Sequence, residues 1–265
     1  MTATTMGAPR FEMGRVVNLM FGAIGRNWVV FGLLALLLSA FPQGLFQLVQ
    51  TQITVSRLAV DGSPPQFNFS GSLLVLVGVA VSIAGNVIMQ AALVHGVIVD
   101  LNGGKASFGD CLKTGLRFAL PILGVGFLMA LGIVAGALVF FVPGVMLALA
   151  WMVAVPAEVV ERTGVFGAFS RSAALTRNHR WSLLGLCAIY VVVAWILSAA
   201  ILAMSAGVQT AAQMIASRTP IVIAVTAIVR VVEAVVGAAG IAAIYYELRS
   251  IKEGIGPDAL ASVFD

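Results

Sequence analysis

PAEVVERTGVFGAFSRSAALTRNHRW, residues 156–181, separates two long apolar runs. The first run ends at two carboxylates, Glu158 and Glu161. A turn around Arg162 to Gly164 follows, then an amphipathic basic segment, and Trp181 opens the next run. Acid, turn and basic helix between oily stretches describe one face of a polytopic membrane protein, and fainter copies of the unit lie upstream.

The composition supports that reading. Of 265 residues, 60% are hydrophobic and only 10% charged, whereas a soluble domain carries roughly 25% charged residues. Such a chain clothes itself in lipid. Its net charge of +4 does not point to nucleic acid, because the positive residues sit at the ends of apolar runs. Cys111 and Cys187 are too few for a disulfide framework or a thiolate metal cage and read as small apolar residues. Arg10, Arg15 and Arg26 precede the first run, and Leu38-Ser39-Ala40 resembles a cleavage site. No stretch of soluble composition follows, so a retained anchor is expected.

Crossing the hydrocarbon takes about 20 apolar residues. Six stretches qualify: Trp28–Leu48, Leu73–Val99, Ala119–Val142, Gly144–Val160, Leu183–Val208 and Ile221–Tyr246. None alternates with period two, so the prediction is helix and not barrel strand. Pro143-Gly144 predicts a tight turn between the third and fourth. Twelve of the 15 Lys and Arg fall on one side of this arrangement, only Arg57 and Arg218 fall on the other, and Arg230 lies within a span. The bias places both termini and the basic segments in the cytoplasm.

Three segments on that side are amphipathic. Met13, Val16, Met20 and Ile24 form one stripe. Ser107 and Asp110 have capping-box-like spacing ahead of Phe108, Leu112 and Gly115. Val165, Phe166, Phe169 and Ala173 form the third stripe, with Ser170, Arg171 and Arg177 away from it. Helices of this kind lie in the headgroup plane and reach anionic phosphates; the alternative is a linker packed on its own bundle. The expected architecture is all-α, a single integral membrane domain over 1–265. Six transmembrane helices form three hairpins, each preceded by a cytoplasmic amphipathic segment, in approximate repeats 10–101, 104–161 and 164–254. Each returning helix ends in acid: Asp100, Glu158 with Glu161, and Glu247. A carboxylate opposes the macrodipole there, so these acids are expected to pair with Arg or Lys of the basic segments. The outer loop 49–70, with Gly62-Ser63-Pro64-Pro65, is too short for a domain.

Polar residues inside spans are the best pointers to a site. Thr226, Arg230, Glu233 and Gly237 share a helical face, as do Ser82, Asn86 and Gln90. A buried polar cluster of Asn86, Gln90, Arg230 and Glu233 is therefore expected, either as a site for an ion or polar head or as glue between hairpins. The expected headgroup contacts are Arg15, Lys105, Lys113, Arg117, Arg171, Arg177, His179 and Arg180. Catalytic residues, metal ligands and cofactors are not expected. His95 and His179 form no metal motif, and Asn102-Gly103-Gly104-Lys105 lacks P-loop spacing and reads as a turn. Gly124, Gly132, Gly136, Gly237 and Gly240 read as helix-packing positions.

Pro143-Gly144, Trp151, Pro156 and Glu158 form a motif set with Ala168 to Ser172, Leu175-Thr176, Trp181, Tyr245 to Arg249 and Glu253-Gly254. It resembles the YciC-type bacterial inner-membrane proteins and the membrane domain of some glycerophosphodiester phosphodiesterases. The resemblance is clear in the second half and rests on hydropathy in the first. It implies an integral six-helix domain linked to the membrane or its lipids. No phosphodiesterase-like segment accompanies the motifs, and no hydrolytic activity is carried over. The expected function is a non-enzymatic inner-membrane role in membrane organisation, lipid interaction or assembly. Anionic lipids are the expected partners, with a membrane-protein partner or a second copy left open. The alternative is a small transporter or channel around Arg230 and Glu233.

Overall fold

The computed structural model describes residues 11–47, 69–205 and 220–254, and among them there is helix but no strand. Helix α1 (Met13–Ala35) continues through a π-helical turn (Leu36–Ala40) to residue 47. Then come α2 (Phe69–Leu101), α3 (Phe108–Val139), α4 (Phe141–Trp151), α5 (Ala154–Glu161), α6 (Gly164–Thr176), α7 (Arg180–Ser205) and α8 (Pro220–Glu253). Six helical paths are long and apolar enough to cross a membrane: Met13–Gln47, Val75–Leu101, Phe108–Leu138, Val142–Glu161, Arg180–Ala200 and Val225–Glu253. The chain is a multi-pass membrane protein. The outer loop falls largely outside the described residues, as does the expected end of the first and fifth spans.

Two of the three amphipathic segments are not separate helices. Met13 to Ile24 is the opening of α1, with Val16 and Ala23 buried in the core. The only break between it and the span is Asn27, whose backbone (φ −124°, ψ 24°) leaves the helical region. The segment after Ser107 runs without interruption into α3. Ser107 is the N-cap residue but makes no side-chain capping bond, so the expected capping box does not form. The third segment is a helix of its own, α6.

The expected turn at Pro143-Gly144 lies instead at the extended Phe140 (φ −157°, ψ 146°). Pro143 occupies the first turn of α4, where its missing N–H costs nothing. Gly144 lies against Ala137 and Gly136, serving close packing and not the turn. The fourth span is two helices and not one. Pro156 cannot donate to the Met152 carbonyl and its ring crowds that group, so the helix opens at Val153 (φ −101°, ψ 18°). Non-helical backbone at membrane depth has to be buried in protein and hydrogen-bonded. Helix α6 provides the cover. Ser172 Oγ accepts the Val153 N–H (3.2 Å) and donates to the Ala150 carbonyl (2.8 Å). Thr176 Oγ reaches the same carbonyl at 3.3 Å. Beside the break Trp151 packs at a tilt against Phe169, ring centres 4.8 Å apart, and fills the space left by Gly132, where any Cβ would overlap the indole.

A second interruption follows the same logic. Pro42 cannot bond the Leu38 carbonyl, and α1 widens into its π turn just before it. The released oxygen presses on Gly85 of α2, where a Cβ would overlap it. Ser39 Oγ bonds Asn86 Oδ1 beside it at 3.1 Å.

The core runs through α1, α2, α3, α5 and α8, with many alanines (Ala91, Ala92, Ala238, Ala239, Ala242, Ala243) bringing backbones close. Helix α7 is peripheral and touches α8 and α4.

Candidate functional site: the charged end

The ends of α2, α5 and α8 meet the starts of α1 and α7 and the helix α6 in one charged layer. There Asp100, Glu161 and Glu247, three of the acids that close the returning helices, find basic partners, while Glu158 has none among the described residues. Arg26 of α1 grips Asp100, with Nε 3.1 Å from both carboxylate oxygens and a terminal nitrogen 2.5 Å from one. Asn27 Nδ2 adds 2.6 Å to the same carboxylate and 3.1 Å to the Ala23 carbonyl. The kink at Asn27 is thus fixed by the residue that closes α2. Arg15 Nε lies 3.7 Å from the buried Glu247 of α8. Arg171 of α6 joins two helix ends, bonding Glu161 through Nε (2.9 and 2.7 Å) and Glu253 through a terminal nitrogen. Tyr245 donates to Glu161 at 2.7 Å, and Arg249 holds Glu253 at 2.7 Å. Glu158 is buried, accepts the Gly164 N–H, and keeps one oxygen without a partner among the described residues.

These pairs split the expected headgroup residues into two sets. Arg15 and Arg171 are committed to carboxylates. Lys105, Lys113, Arg117, Arg177 and Arg180 form no ion pair among the described residues. Lys105 follows the turn at Gly103, whose φ of 83° only glycine adopts freely, and Lys113 is exposed on α3. Arg117 lies over the Phe118 ring (6.0 Å), which Arg162 also approaches at 5.7 Å. His179 is half-buried against Phe11, ring centres 5.8 Å apart. Burial lowers its pKa below the usual histidine value, and the charge of Lys252 lowers it further.

Sequence reasoning missed Lys252, which donates to the Ala174 carbonyl near the end of α6. It missed Ser172 and Thr176 as well. Both lie on the buried face of α6 with Ala168 and Leu175, while Phe166 of the apolar stripe is 79% exposed. The signal was Pro156, whose lost N–H demands a polar neighbour. A shallow cavity of about 790 Å³ flanks the start of α1, lined by residues that include Glu12, Asn18, Arg15 and Arg26.

The expected buried cluster does not assemble. Arg230 and Glu233 do pair, at 3.4 Å, but the Arg230 side chain is 59% exposed. Asn86 turns to Ser39 and to the Ser82 carbonyl (2.8 Å). No hydrogen bond or ion pair links Asn86 or Gln90 to the Arg230–Glu233 pair among the described residues. Sharing a stripe on each helix did not bring the stripes face to face.

Comparison with protein-family models, with curated proteins and with solved structures returns no match for this chain.

Proposed function

We infer that the chain is a non-enzymatic protein of the bacterial inner membrane. In this reading its charged end faces the cytoplasm, both termini lie there, and the layer engages anionic lipid in a role of membrane organisation or assembly. The observation that carries the reading is the imbalance within the charged layer. Its internal pairs bind the helix ends together, yet several cations stay unpaired. Exposed Trp28 and Trp181 (69% and 78%) stand next to Arg26 and Arg180. Tryptophan concentrates where hydrocarbon meets headgroups, so the unpaired cations lie at headgroup depth, where each basic residue near an anionic surface is worth about 1 kcal/mol. The likeness to the YciC-type proteins agrees with this reading.

The transporter alternative is weaker, because no hydrogen bond or ion pair joins Asn86 or Gln90 to Arg230 and Glu233 among the described residues. Native mass spectrometry of the chain released from membranes of mixed lipid tests the preferred reading. Retention of phosphatidylglycerol over phosphatidylethanolamine is expected, and equal retention contradicts it.

A further inference from the structure

The unpaired cations are not spread evenly. Three segments converge where α6 turns into α7: that turn itself, the end of α8, and the stretch before α1. Arg177 leaves α6 with extended ψ (132°), and Asn178 takes φ 75°, a left-handed conformation that Asn tolerates. His179 then faces Phe11 and lies within electrostatic reach of Lys252, which is also within reach of Arg177. One donor of Lys252 goes to the Ala174 carbonyl, and an ammonium carries three. Arg180 follows directly, and its Nε is shut off from solvent with no acceptor among the described residues.

Two acids of the charged layer are already taken among the described residues. Glu161 is taken by Arg171 and Tyr245, and Glu253 by Arg171 and Arg249. Like charges held together with no ion pair among the described residues, beside a buried donor lacking its acceptor, call for an external anion. The surroundings specify where it comes from. Trp181, directly after Arg180 at the start of α7, is 78% exposed. Helix α7, which starts there, is the least covered of the six candidate spans, with 6% of its apolar window buried. A phosphate attached to acyl chains satisfies both features.

We propose that Arg177, His179, Arg180 and Lys252 form a binding site for the phosphate of one anionic phospholipid, whose chains lie along α7. This rests on the proposed lipid-binding role and narrows it to one place and one headgroup chemistry.

The test is thermal unfolding of the full chain in nanodiscs of phosphatidylcholine, alone or mixed with phosphatidylglycerol. The variant Arg177→Gln/Lys252→Gln is compared with the control Lys105→Gln/Lys113→Gln, which removes the same charge elsewhere. The site variant is expected to lose at least half of the phosphatidylglycerol-dependent gain in Tm, and the control to keep it. Lys252→Arg retains the cation and should retain the gain. If the Gln variant does not fold, wild type and Lys252→Ala are compared for phosphatidylglycerol molecules kept in gentle detergent, with one fewer expected. An unchanged gain in the site variant, or an equal loss in the control, overturns the site while leaving the lipid-binding role intact. A wild type indifferent to phosphatidylglycerol overturns both. Inorganic phosphate giving the same gain in phosphatidylcholine alone overturns the lipid as its source.

Discussion

Helix α8 differs from one end to the other. From Val235 to Leu248, near the charged layer, it buries Val235, Ala238, Ala239, Ala242, Ala243, Tyr245 and Leu248. From Thr226 to Val232 it turns Ile228, Arg230 and Val232 outward. Helix α2 repeats the contrast, with Leu73 to Ile83 largely exposed and Met89 to Ile98 almost wholly buried. Small side chains let helices approach at the charged end, and buried carboxylates then fasten their termini. The far half has long apolar side chains and few partners among the described residues, an apolar surface of the kind that lipid covers. Intramolecular stability is therefore concentrated at one end, and it is the end that bears the surplus cations.

Substitutions can break this contrast, beginning with the largest effect. Asp100→Ala leaves Arg26 and Asn27 without the carboxylate that fixes the kink in α1. Removing one partner of a mostly buried pair costs about 3 kcal/mol after allowance for the exposure of Arg26. Reversible unfolding in mixed micelles should show that loss, and a change below about 1 kcal/mol would mean the pair holds little. Gly85→Ala should cost about 2 kcal/mol, because the new methyl meets the Leu38 carbonyl head on. Gly126→Ala, with open space around it, should stay within about 0.5 kcal/mol of wild type. Equal effects at the two glycines would remove the close approach at the π turn from the account. Ser172→Ala should cost about 1 kcal/mol by leaving the Val153 N–H unsatisfied, with Thr176 still on Ala150.

The smallest effect concerns pH. His179 faces Lys252 of α8, Phe11, and its neighbours Arg177 and Arg180, and its pKa is lowered in the folded chain. The unfolded chain then binds the proton more readily, so stability is fully present above about pH 6.5 and declines as pH falls toward the folded value. Thermal unfolding between about pH 7.5 and pH 5.5 should show a decline that His179→Gln removes. Bound phosphatidylglycerol should shrink it, because an anion beside His179 stabilises the protonated ring. A decline that survives His179→Gln assigns it to another group.

Much of the architecture was legible because apolar run length is a physical requirement of the bilayer. The acids at the ends of the returning helices announced their pairing, since Asp100, Glu161 and Glu247 oppose the helix dipole and need a compensating cation. Helix starts were misplaced where amphipathic segments ran on into spans, because nothing breaks α3 after Ser107 and only Asn27 breaks α1. The interruption at Val153 was written in Pro156. Reading that residue as a family marker hid its backbone consequence, and with it the inward roles of Ser172 and Thr176. The Asn86–Arg230 cluster failed for another reason. Helical periodicity tells which residues share a face, but which faces meet is decided by packing, and Arg230 is bonded to Glu233 of its own helix.

The charged half of the molecule, and not the far half, is expected to meet anionic headgroups. Hydrogen–deuterium exchange of the full chain in nanodiscs, with and without phosphatidylglycerol, reads that out segment by segment. Added protection is expected in α6, the turn at Arg177 to Arg180 and the last turns of α8, with the far ends of α2 and α8 unchanged. Protection that appears at the far ends, or nowhere, contradicts the assignment.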